Sequence, residues 1–165
     1  MRVVPRVLFL MLLTGLLCCT LDAQAPQKIT VRMLDSKTGL LIASSNFLVR
    51  VDHNQEAHGD WIVKNEDGTG SLTVPSGAQL ISIHATYESA TYTYANCDVD
   101  KDRASSSHAA RIERWYAVSA IQTAGLVAPN DCGGKKVPEK LQVIAKPGEF
   151  VFFVRPETSI EKLRD

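Results

Sequence analysis

The chain has no excess of charge of either sign: 18 Lys and Arg face 18 Asp and Glu across 165 residues. Its basic residues are scattered, so the electrostatic footprint of a nucleic-acid binder is missing. Nor is there an apolar run of the ~20 residues that a membrane-spanning helix needs. Internal repeats and low-complexity tracts are absent. The serine-hydrolase elbow Gly-x-Ser-x-Gly is absent too. None of the four histidines (His53, His58, His84, His108) belongs to the His-x-His or His-x-x-x-His pair of a zinc site. Cysteine is scarce, four in all, and two of these, Cys18 and Cys19, lie near the amino terminus. What remains is the length of one domain that can bury its own core, with no cofactor signature.

The amino terminus does carry a pattern. Arg2 and Arg6 precede an apolar run from Val7 to Cys19, and small residues follow. That order of charge, apolar segment and cleavage region is the order of a secretory signal, helical while it lasts. Cutting after Ala23 is expected, because Pro26 hinders a cut after Ala25; an uncleaved anchor is the alternative. Leu17 and Cys18 stand where a lipoprotein site wants a small residue, which speaks against lipidation of Cys18 or Cys19. Removing Arg2, Arg6 and Asp22 from 18 and 18 leaves 16 basic and 17 acidic residues. The division expected is residues 1–23 signal, 24–155 a single domain and 156–165 a charged tail. Secretion or a periplasmic location follows, with no membrane span after cleavage.

Only Cys97 and Cys132 survive that cut. Two cysteines in an exported chain pair with each other most often, so a Cys97–Cys132 disulfide is expected, with free thiols or an intermolecular link as the alternatives.

The mature chain reads as strands. Lys28–Leu34 alternates apolar and polar residues with the period of two that marks a half-buried strand. Asn46–His53 does the same through Phe47, Val49 and Val51, and Trp61–Lys64 is a short third strand. Asp67-Gly68 signals a tight hairpin turn, since glycine accepts the positive φ that primed turns require. Leu72 and Val74 lead to Pro75, which ends the strand. Gln79–Cys97 is dense in Ile, Thr and Tyr and divides near Glu88 and Ser89 into two strands. Trp115–Thr123 fits a strand or, by its alanines, a helix; its all-β surroundings favour the strand. Leu141–Lys146 and Glu149–Arg155 are read as the last two strands, the second continuous enough to be buried on both faces. The fold class expected is all-β: an antiparallel β-sandwich of immunoglobulin-like or transthyretin-like topology.

Two stretches, "VRMLDSKTGLLIASSNFLVRV" and "NEDGTGSLTVPSGAQLISIHA", resemble the carboxypeptidase regulatory-like domain, a transthyretin-like sandwich. The matching positions are Asp35, Thr38, Gly39, Asp67, Gly68, Leu72, Val74, Pro75 and Gly77. Leu40 stands where the family has Pro, Ser45-Asn46 where it has Gly-Ala, and Gly70 where it has an aromatic. The carboxy-terminal part is similar to tails of small secreted bacterial proteins with that fold. The resemblance implies a noncatalytic module and carries over no functional residues. The transthyretin-like enzymes that hydrolyse 5-hydroxyisourate end in Tyr-Arg-Gly-Ser, which the terminal Glu-Lys-Leu-Arg-Asp does not match.

Three features could still hold chemistry. Asp98, Asp100 and Asp102 have the opening spacing of a calcium loop, but Arg103 stands where Gly is required and Ala109 where the bidentate Glu belongs. A solvated acidic loop is the plainer reading. Ser105–Ser107 beside His108 is a polar loop, since adjacency in sequence does not build a triad. Tyr87, Tyr92 and Tyr94 fall in one β region and offer a candidate ligand face for a sugar or a protein, although tyrosines also suit strands for packing reasons alone. The functional expectation is a noncatalytic exported module, not an enzyme, that meets an envelope or extracellular protein or serves envelope structure. The alternative is a carbohydrate-binding module using the tyrosine face.

Overall fold

The computed structural model describes residues 25–43, 47–54, 56, 58, 62–85, 94–98, 114–133 and 143–156. The leader, nearly all of the charged tail, Tyr87, Tyr92, Asp100, Asp102 and His108 lie outside the described residues. The elements in chain order are β1 (Gln27–Asp35), β2 (Phe47–Val51), β3 (Ile62–Lys64), β4 (Gly70–Val74), β5 (Leu80–Ala85), β6 (Tyr94–Asn96), β7 (Tyr116–Ala117), α1 (Val118–Ala124), β8 (Leu126–Val127) and β9 (Glu149–Pro156).

They form an all-β sandwich of two sheets. One runs β3-β4-β1-β9-β6 with β8 also on β9; the other runs β2-β5-β7. The alternation read from the sequence decides which side chains meet. Ile29, Val31 and Met33 of β1 turn inward with Leu72 and Val74 of β4, while Val49 of β2 and Ile81 and Ile83 of β5 meet them from the other sheet. Rings cross the interface as well: Phe47 lies edge-on to Phe152 at 5.9 Å, and Tyr116 lies 4.8 Å from Phe150. These apolar side chains, nearly all out of contact with water, supply the hydrophobic stabilisation.

The last strand is buried on both faces, as its continuous apolar run indicates. Phe150, Phe152 and Val154 face the main core, whereas Val151 and Phe153 face a second, smaller cluster with Leu34 and Cys97. Its pairing adds one feature to the expected architecture: β9 runs parallel to β1 and β8 and antiparallel to β6, so the larger sheet is mixed.

Four local readings change. Of the stretch Trp115–Thr123, only Tyr116–Ala117 is strand; Val118–Ala124 is a helix. Val118 and Ile121, three residues apart, bury one helical face, while Ser119, Ala120 and Thr123 face water. Residues 143–146 of the expected Leu141–Lys146 strand join no ladder. Val143 and Ala145 pack on the outer cluster instead, and Arg32 Nη2 donates to Ile144 O at 3.1 Å. The segment lies on the sheet rather than in it.

The turns also trade roles. Gly68 has φ +83° as expected, yet five residues, 65–69, join β3 to β4, closed by Gly68 N donating to Asn65 O and Asn65 N to Thr69 O. The two-residue primed turn falls instead at Asp52-His53, which ends the expected Asn46–His53 strand at Val51. Both residues have positive φ, 49° and 60°, and Asn54 N donates to Val51 O. Finally, Gly70 has no room for the aromatic of the resembled family: a Cβ there would lie 2.6 Å from Ile62 Cγ2 and 3.3 Å from a Phe47 ring carbon.

Candidate functional site

The feature of greatest chemical consequence is the Cys97–Cys132 disulfide, with its Cα atoms 4.9 Å apart and a sequence separation of 35. Cys97 directly follows β6, and Cys132 lies in a short 3-10 turn, Asp131–Gly133. The turn is docked independently by Asp131 N donating to Cys97 O and by Asn130 Nδ2 donating to Ser36 O.

Beside it lies a buried polar group. Asp98, only 5% exposed, accepts a hydrogen bond from the Tyr116 hydroxyl. Arg114, two residues before that tyrosine, reaches Asp131 at 4.0 Å, a partly exposed ion pair that adds little by itself. Burial first, and the Asp98 carboxylate second, push the Tyr116 phenol above its ordinary pKa. The first member of the calcium candidate is therefore engaged in the fold. Among the described residues no group of three or more His, Cys, Asp or Glu side chains is placed to hold a metal ion.

Other carboxylates shape turns. Asp35 Oδ1 accepts from the backbone N–H groups of Lys37 and Thr38 and from the Thr38 hydroxyl. Its burial acts to raise the pKa, but these hydrogen bonds outweigh it and the net displacement is downward. Asp67 is held down chiefly by the Thr69 hydroxyl and then by the Thr69 N–H. Asp52 Oδ1 takes the N–H groups of Gln79 and Leu80, which fixes the primed turn to the start of β5.

Of the tyrosine face, Tyr94 is half-buried and packs against the main core from β6, so much of its ring serves packing. Sequence reading missed the outer face of the smaller sheet. Pairing in register sets Leu48 against His84 and Arg50 against Ser82 there. Trp115, directly before β7, meets the ring of His53 at 4.4 Å. Ser82 Oγ and His84 Nε2 are 3.1 Å apart, but Ser82 is 1% exposed, which keeps its hydroxyl from a substrate. The period of two in β2 and β5 contained this face; the partner turn at Asp52-His53, lacking glycine, gave no comparable signal.

Comparison with family models, with curated proteins and with solved structures finds no match to this chain.

Proposed function

We propose that the chain is an exported, noncatalytic β-sandwich module that binds another protein of the envelope or extracellular space. The observation that carries this reading is the Cys97–Cys132 disulfide, because such bonds persist in oxidising compartments. No helix among the described residues is long and apolar enough to cross a membrane, which is compatible with that location. The noncatalytic part is supported by the uses of the acidic side chains: Asp35, Asp52, Asp67 and Asp98 all hold turns or buried hydroxyls.

The resemblance to carboxypeptidase regulatory-like domains belongs to the same proposal. Apart from the core residues Leu72 and Val74, its matching residues lie in turns or at a strand end, and Gly39, Gly68 and Gly77 all occupy positive φ.

Three measurements test the reading. Mass spectrometry of extracytoplasmic material should find a chain beginning near Gln24; a retained Met1 overturns the cleaved-signal reading. A photo-crosslinking residue at exposed Leu48, on the outer face of the smaller sheet, should trap a discrete protein. Saturable binding on a glycan array, lost in Tyr94→Ala, would replace the protein-binding reading with the carbohydrate-binding one.

A further inference from the structure

We propose that the Cys97–Cys132 disulfide latches a short cover over the outer face of the larger sheet, and that reducing it opens the cover while the main core stays folded. The two apolar clusters make this separation physical. The main core, between the sheets, contains neither cysteine. The outer cluster consists of Leu34, Cys97, Val151 and Phe153, flanked in the sheet by Val127 of β8 and covered by the only partly buried Cys132, Val143 and Ala145. The sheet side of this cluster is therefore rigid and the covering side thin.

The cover is fastened at distinct points. Arg32 holds one part of it, pairing with Glu149 at 2.9 Å and donating to Ile144 O, while Glu149 Oε2 accepts the Lys146 N–H. The other part, residues 129–133, follows the core residue Ala128 and is tied by the disulfide, by Asp131 N to Cys97 O and by Asn130 Nδ2 to Ser36 O. Breaking the covalent tie leaves this second part on a few hydrogen bonds and little buried apolar area, the makings of a low-stability local unit.

The chemistry needs a dithiol reductant. Cys132, half-buried where Cys97 is 2% exposed, is the more accessible sulfur. A reductant thiolate attacks Cys132 Sγ, the Cys97 sulfur leaves as a thiolate and takes up a proton, and a mixed disulfide forms. The reductant's second thiolate then displaces Cys132, which is protonated in turn, and the reductant departs as its own disulfide.

Amide hydrogen exchange on the mature protein, oxidised and after dithiothreitol treatment, tests the device, alongside a Cys97→Ala/Cys132→Ala variant that supplies the open state without reductant. Exchange at Asp131, whose N–H is bonded to Cys97 O, should accelerate about tenfold or more, with Cys97, Ala128, Ile29, Leu72 and Ile81 little changed. Unchanged exchange at Asp131 would overturn the proposal. So would uniform acceleration at all six, or a double variant that does not fold, since either result would make the disulfide part of the global fold.

Discussion

The hydroxyl of Tyr116 donates to the carboxylate of Asp98 at 2.5 Å, joining β7 of the smaller sheet to the chain just beyond β6 of the larger one. Both residues are buried, and the Asp98 carboxylate, out of water, depends on such a donor. Tyr116→Phe keeps the ring against Phe150 but removes the donor, and should cost about 1–3 kcal/mol. The pH dependence has a defined sign. Burial and Asp98 hold the folded-state phenol above its ordinary pKa. Its contribution to stability is then complete below about pH 10 and is lost as the pH climbs further, because the unfolded chain releases that proton first. Thermal melts between neutral and strongly alkaline pH should show a steeper alkaline loss in the parent than in Tyr116→Phe. Parallel curves would show that Tyr116 does not govern it.

Three glycines at positive φ should respond in graded fashion to an added side chain. A Cβ on Gly77 meets nothing within 4 Å, so Gly77→Ala carries backbone strain alone, about 1 kcal/mol. On Gly68 it lies 3.1 Å from Leu41 Cδ2 and 3.2 Å from Ala43 Cβ, so Gly68→Val should cost more than Gly77→Ala. On Gly125 it would lie 2.3 Å from the backbone oxygen of Lys146, and Gly125→Ala should cost at least about 3 kcal/mol. Urea melts give the order; equal midpoints for Gly77→Ala and Gly125→Ala would contradict it.

The contrast among these glycines shows what a sequence can disclose. Gly68 announced itself through Asp67 and the flanking alternation, a purely local pattern. Gly125 matters because residue 146 passes across it, a relationship no local pattern contains. The same division runs through the rest of the molecule. Period-two alternation revealed β1, β2 and β5, and the unbroken apolar run of β9 revealed its two-sided burial. The helix Val118–Ala124 was concealed because β-branched Val and Ile at a helical spacing of three also suit a strand. Residues 143–146 alternate as a strand does, yet their partner is the face of a sheet. At the candidate site, the disulfide followed from cysteine scarcity and the leader, while the role of Asp98 depended on Tyr116, 18 residues away.

The disulfide closes a 35-residue separation, for which the chain-entropy estimate is about 4 kcal/mol. The Cys97→Ala/Cys132→Ala variant should lose well under that amount in urea unfolding, because the opened cover regains in the folded state part of the freedom that the bond removes from the unfolded one. Thiol titration of the unfolded, unreduced mature protein should find no free thiol; two would show that the bond does not form in the exported chain.

Asn96 supports a separate prediction about how the two sheets are joined. From the edge strand β6 its Nδ2 donates to Ile83 O at 2.8 Å and its Oδ1 accepts from Ala85 N at 2.9 Å. One side chain thus occupies the place a strand would take along the end of β5, where β7 is too short to reach. Asn96→Ala would leave a carbonyl and an N–H unpaired in a part-buried seam, and should cost about 2 kcal/mol. Asn96→Asp keeps the acceptor for Ala85 but turns a carboxylate oxygen toward the Ile83 carbonyl, so it should not restore stability at neutral pH. Lowering the pH until that carboxylate is protonated gives it a donor again and should recover part of the loss, relative to Asn96→Ala at the same pH. Equal stability of the parent and Asn96→Ala would show that the strand mimicry contributes nothing.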